Sequence, residues 1–236
     1  MDALQASPII VVCIDNYDVT RSLLSADNAG QNLSDRILIQ LSSGSPKQAF
    51  ELDEWIKGFG GEYIDGVIRP YPQGIGAGDA QILFAGPESS YLQCLPFFNC
   101  LGGDLQYLGS NIKTAAVIEM ASLTFDLCSY IGVMHGARIC ESEGINVGAF
   151  ASTYPDNSPA NYLANIIHSD DFENPGATLA VWDAALKGLQ TQANEAGINS
   201  EVPDFISTFF KRALSAGCAE EDVAAIVKVL RSNDAR

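Results

Sequence analysis

From Thr114 to about Glu143 the chain reads as one helix without a break. No proline falls between Pro96 and Pro155, and the first plausible stop is Gly144. At a rise of about 1.5 Å per residue such a helix is roughly 45 Å long. That is too long for one small compact domain to cover both ends. The two halves of the chain differ in kind on either side of it.

The first half alternates short apolar runs with helical segments. PIIVVCI (8–14), RILIQL (36–41), YIDGVI (63–68), QILFAG (81–86) and DLQYLG (104–109) are strand candidates. Continuous apolar runs of this length suit strands covered on both faces. Helices are expected from Asp18 to Leu24, from Ser45-Pro46 to near Gly60, and over 88–101. This alternation predicts a doubly wound parallel sheet. The second half predicts further helices near 176–196, 203–216 and 219–231. In the last, Glu220, Glu221 and Asp222 open the segment, and Lys228 and Arg231 close it, as the helix dipole favours. The expected division is 1–109 for the sheet domain and 110–236 for a helical domain with the long helix 114–143.

Charge narrows the partners. With 13 Lys and Arg against 29 Asp and Glu, the formal net charge is −16. Nucleic acid and anionic membranes are poor partners for such a chain. The six cysteines form no CxxC pair and only two histidines exist, so no metal site is expected. Cysteines in stretches such as IIVVC and TFDLC read as buried free thiols, which points to a reducing cytoplasmic compartment. The opening residues MDALQASPIIVVCID carry no basic stretch, and their apolar run is too short to span a bilayer. The 114–140 stretch carries Glu119, Asp126 and Arg138 and reads as a buried helix of a soluble protein.

A dinucleotide-binding sheet normally opens with a strand, a GxGxxG turn and a helix, whose amides hold the pyrophosphate. GIGAGD (74–79) has the glycines but follows Pro72 and leads into a strand, so it reads as a loop between two strands.

Several motifs occur in order. VVCIDNYDV (11–19) resembles the segment after the fourth strand of the nucleotide domain in imine reductases and reductive aminases, a branch of the β-hydroxyacid dehydrogenase superfamily. LSSGSPKQA (41–49) is similar to that branch's L-T-x-G-T-P-x-Q-A turn, which lies near the nicotinamide. EYIDGVIRPYPQGIG (62–76), ILFAGP (82–87) and YLGSNIKTAAVIEMA (107–121) resemble three further segments in register. The resemblance implies α/β plus all-α architecture: a Rossmann-type parallel sheet, here incomplete, joined by the long helix to a C-terminal helical domain. It also implies an intertwined homodimer with exchanged helical domains. Met1 falls where the family already has its first strand–turn–helix unit behind it, so a truncated nucleotide domain is expected and NADPH binding is placed in question.

Site residues follow from both lines of reading. A lone carboxylate in AAVIEMASL must be paired, neutralised or open to a cleft, and a raised pKa would make Glu119 a general acid. By resemblance it aligns with the aspartate that acts near the substrate nitrogen. Ser122, Asp126 and Tyr130 follow at helical spacing on the same face, either a wall of a substrate cleft or a solvated stripe. Catalytic candidates are thus Glu119, Asp126 and Tyr130. Where the family carries a tyrosine two turns after the aspartate, this chain has Leu127. The resemblance implies cofactor contacts at Asp15, Tyr17, Ser43 and Ser45. The Ser43 hydroxyl suits a ligand amide or its own backbone. Substrate contacts are expected at Ser122, Arg69 and Trp182; Arg69 reads equally as a surface cation. His135 reads as structural and His168 as a surface residue. The implied activity is reduction of a small biosynthetic imine or carbonyl. Two alternatives stand: a cofactor-independent cyclase or isomerase using the dimeric cleft, and a non-catalytic binding protein.

Overall fold

The computed structural model describes residues 2–14 and 16–232. The chain divides into two compact units, Met1–Ala121 and Ser122–Arg236.

In the first unit, helix α1 (Asp2–Ala6) leads to β1 (Ile9–Val12), α2 (Tyr17–Ser25) and a 3-10 segment (Ala26–Leu33). Next come β2 (Ile37–Gln40), α3 (Pro46–Lys57) and β3 (Glu62–Ile68). β4 (Gln81–Ala85), α4 (Glu88–Phe98) and β5 (Asp104–Tyr107) complete it. The five strands form one sheet in the order β1-β2-β3-β4-β5. β1, β2 and β3 run parallel, and so do β4 and β5, but β4 runs antiparallel to β3. The expected all-parallel sheet is therefore a mixed one. A parallel return needs a crossover element. The stretch between β3 and β4 holds only a 3-10 turn, Pro72–Gly74, so the chain reverses and Arg69 N–H continues the ladder to the Gln81 carbonyl. GIGAGD does lie between two strands, as read.

Period-2 alternation sends the strand residues to opposite faces. Leu38 and Tyr63 join Leu24, Leu52 and Ile56 from α2 and α3 on one side. Ile39, Ile64, Ile82 and Phe84 meet Tyr91, Cys94 and Phe98 of α4 on the other. Helix α3 begins as expected: Ser45 and Gln48 form a reciprocal capping box and Pro46 occupies the first turn.

Helix α5 (Thr114–Ser142) is one element of 29 residues. Its apolar stretch is not buried throughout: Val117, Ile118, Phe125 and Ile139 are exposed. By length and composition alone it is long and apolar enough to cross a membrane.

The second unit continues with α6 (Val147–Ala151), α7 (Pro159–Ser169), α8 (Leu179–Ala196), α9 (Glu201–Ser215) and α10 (Ile226–Arg231). Helix α7, capped by Ser158 with Pro159 in its first turn, is a further helix beyond those the sequence pattern predicts. The expected 219–231 helix is shorter. Asp222 is buried and extended, and its carboxylate caps the Ala224 N–H of a 3-10 turn (Val223–Ala225) before α10 starts. Glu220 and Glu221 therefore precede the helix.

The cysteines are free, but only Cys94 and Cys218 are buried. Cys13 lies just past the edge strand β1, and Cys100 and Cys128 also face solvent. The buried-thiol expectation fails for these three because a run of apolar neighbours does not fix which face is covered.

Candidate ligand edge and the carboxylate of the long helix

In a sheet of this type, ligands meet the loops at the carboxyl ends of the parallel strands. Here those ends are formed by β1, β2 and β3 and the turns that follow them. After β1, the Asn16 side chain caps α2 by accepting from Val19 N–H at 3.0 Å. Tyr17, the first residue of α2, is only 4% exposed. Its ring lies against Gly44, where a Cβ would collide with it. Its hydroxyl donates to Asp65 Oδ1 on β3. The Tyr63 hydroxyl sits 3.1 Å from the same carboxylate oxygen and 3.1 Å from the Tyr17 hydroxyl.

Asp65 is 1% exposed. Burial pushes its pKa up to about 6, against the two phenols and the Ala116 backbone N–H, which pull it down. Burial, reinforced by the Asp65 charge, holds the Tyr17 hydroxyl well above its ordinary value, so it stays a donor. Next to this cluster, Ser42 Oγ accepts from Ile14 N–H at 3.1 Å, tying the turn after β2 to the loop after β1. Thr20 and Gln40 are bonded to each other beneath it.

The expected site residues fall as follows. Asp15 lies outside the described residues. Tyr17 is turned inward and committed to Asp65. Ser43 is exposed on the turn. Ser45 is buried, and its hydroxyl accepts from Gln48 N–H at 3.2 Å as the α3 cap. Arg69 is exposed just beyond β3. Glu119 is half-buried on the second turn of α5.

In the second unit Ser122 and Asp126 are half-buried on α5. Tyr130 is buried and meets Trp182 of α8 edge-to-face, with ring centroids 5.3 Å apart. Of the expected residues, these two aromatics form a direct ring contact. Leu127 is fully buried, a core position and not a cleft position. His135 is exposed and lines a shallow pocket with Arg138, Ile139, Ser142 and Leu230, which holds none of the expected site residues.

Asp65 and Tyr63 were not singled out from sequence. The signal was available: an acid inside the run YIDGVI must be paired or neutralised, the reasoning already applied to Glu119.

A family model described as NADPH-dependent reductive aminase-like, C-terminal domain, matches residues 111–232. The chain belongs to this reductive aminase-like family. It is 24% identical over 238 residues to the NADPH-dependent reductive aminase of Aspergillus oryzae (strain ATCC 42149 / RIB 40), covering 98% of this chain and 80% of that one. It is similar to the imine reductase from Myxococcus stipitatus in complex with NADP+, with a TM-score of 0.62 and 26% identity over 97% of this chain and 82% of the other. The 3-hydroxyisobutyrate dehydrogenase of Mycobacterium tuberculosis, solved with L-serine, shares the fold at a TM-score of 0.84 and 15% identity, covering 98% and 81%. This family member is thus an imine reductase-like chain with a mixed five-stranded sheet and a helical region.

The family raises the question of a dinucleotide. At the ligand edge, α2 opens with Asp18 in its first turn and with its cap already served by Asn16. An anion there meets a like charge at the helix end. At α3 the capping box engages the first amides, and the Tyr17 ring fills the space beside Gly44. Neither turn offers the open glycine backbone that a pyrophosphate needs. These residues do not fit that part of a dinucleotide. Ser43 remains exposed at the rim for a smaller polar group.

Proposed function

We propose that this family member is an imine reductase-like oxidoreductase homologue acting on the C=N or C=O group of a small biosynthetic intermediate. The observation that carries the reading is the family match across the helix bearing Glu119, a half-buried carboxylate among apolar neighbours. In this reading Glu119 holds the proton delivered to the substrate nitrogen or oxygen. Asp126 and Tyr130 assist it, and Ser122, Arg69 and Trp182 orient the substrate. Asp15, Tyr17, Ser43 and Ser45 serve the cofactor in this reading, Tyr17 and Ser45 as supports since both are buried.

A Glu119→Gln variant is expected to lose about a hundredfold or more in turnover of an accepted imine, the usual scale for a general acid. Turnover within twofold of wild type would remove Glu119 from the chemistry.

A second reading rests on the poor fit to a pyrophosphate: a cofactor-independent enzyme, a cyclase or isomerase, using the same carboxylate for acid–base work and positioning. Isothermal titration with NADPH separates the two. Micromolar binding supports the oxidoreductase reading. No heat up to about 1 mM, a binding free energy weaker than about −4 kcal/mol, sinks it and leaves the acid–base reading.

We infer further that the chain works as a homodimer with exchanged helical domains, in the cytoplasm, without a membrane or nucleic acid. Phe125 is 72% exposed, and Ile139, Val181 and Phe205 are exposed as well. Large apolar side chains at a surface are the kind that a partner covers. Glu119, Asp126 and Arg138 make α5 costly in a bilayer and suit this reading better. Phe125→Glu is expected to turn the dimer into a monomer in light scattering after size exclusion. An unchanged dimer would place the interface elsewhere.

A further inference from the structure

The Asp65 cluster is an unusual way to hold a fold together. The hydrogen bonds to this buried carboxyl come from two phenols, both on Oδ1, while Oδ2 is buried without a hydrogen-bond partner. A neutral side chain would make the same bonds without placing a charge in a dry interior. The cluster also reaches outward. Tyr17 hydroxyl is on Asp65, while the Tyr17 ring supports Gly44 in the turn that presents Ser43. That turn is tied through Ser42 to the loop after β1. Three segments of the ligand edge therefore converge on one carboxyl.

We propose that Asp65, Tyr17 and Tyr63 form a buried clamp that takes up and releases one proton and, through the Tyr17 ring, sets the position of the Ser42–Ser45 turn, so that ligand binding at this edge is coupled to that proton. The coupling to a ligand rests on the function proposed above; the clamp itself does not. Ionised, Asp65 accepts charge-assisted bonds from the phenols, about twice as strong as neutral ones. Protonated, it holds Tyr17 less firmly, and the ring against Gly44 relaxes with it. Two acids on and beside β3 are engaged with other partners. Asp53 of α3 is paired with Lys57 at 2.6 Å, and Glu62 accepts from Ser90 of α4. Gln40, opposite Asp65 on β2, is bonded to Thr20 of α2. At the facing positions α5 gives the Ala116 amide and β4 gives Ala85.

The test uses the full chain labelled with 15N, followed by amide spectra from about pH 4.5 to about pH 8, a range that spans an acid of this pKa. The Gly44 amide and the first amides of α2 are expected to shift in one step with a midpoint near about 6. That step disappears from Gly44 in Asp65→Asn and in Tyr17→Phe. Tyr63→Phe keeps the acid and removes one donor, so it folds with its clamp half intact, and its midpoint moves upward. A wild-type Gly44 amide that does not titrate overturns the clamp, and so does a step that survives in Asp65→Asn. NADPH titrations at about pH 5 and about pH 8 test the coupling: a Kd that moves about threefold or more in wild type and not in Asp65→Asn supports it. Equal Kd values overturn it. Absence of any NADPH binding overturns the coupling together with the proposed oxidoreductase function, while the spectra still decide the clamp.

Discussion

Asp65→Asn is expected to gain stability over the wild type as pH rises from about 4 to about 7, by roughly 3 kcal/mol across the interval. The sign follows from linkage. The folded pKa, about 6, lies above the ordinary 3.8. The native state therefore binds this proton more tightly than the unfolded chain does. The stabilisation it provides is complete below about 3.8 and is lost as pH rises through about 6. A shift of roughly two units corresponds to about 3 kcal/mol. Asparagine cannot titrate, so the difference between the two proteins isolates the carboxyl from every other group. Urea unfolding at several pH values measures it. A difference that stays flat with pH would mean that water or a cation reaches Asp65.

Phe98→Ala should be the most damaging single change in the sheet unit, at about 3–5 kcal/mol. Phe98 is fully buried. It stacks on Phe84 with centroids 3.9 Å apart and lies 5.5 Å from Tyr91. Tyr91 in turn stacks on Tyr107 at 4.7 Å. Truncation leaves a cavity bordered by rigid rings, which close in poorly compared with flexible aliphatic chains. Phe98→Leu should recover more than half of the loss. Chemical denaturation measures both. A loss under about 1 kcal/mol for the alanine variant would show that α4 slides in to fill the space. This cluster is on the sheet face opposite Tyr63, so the amides around Gly44 should be little disturbed in the folded Phe98→Ala protein.

Much of the fold was legible because it depends on neighbours in sequence. The strands at 36–41 and 63–68 are apolar runs. Helix α3 carries its own start in Ser45, Pro46 and Gln48. The 29-residue α5 needs only the absence of breakers over a long apolar stretch. Family membership was likewise carried by short ordered segments, LSSGSPKQA and YLGSNIKTAAVIEMA among them. Glu119 was visible as an acid in an apolar run.

Tertiary structure decided what depends on residues distant in sequence. β4 turns antiparallel because its connection contains no crossover element, a matter of chain path that QILFA cannot express. Cys13, Cys100 and Cys128 face solvent because an apolar run says nothing of which side receives a neighbour. Asp222 ends one turn and caps the next because Phe172 and Tyr162 hold it there. Tyr17 reads as a ligand contact in DNYDV, yet it points inward to a carboxyl 48 positions further along. The sequence by itself determined most of the elements and the kinship, since both are written in local periodicity and short motifs, but α7 and the true start of α10 escaped it. Packing decided which partners Asp65 takes and that the ligand edge converges on it, since Tyr17 and Tyr63 meet this acid only once the chain has closed on itself.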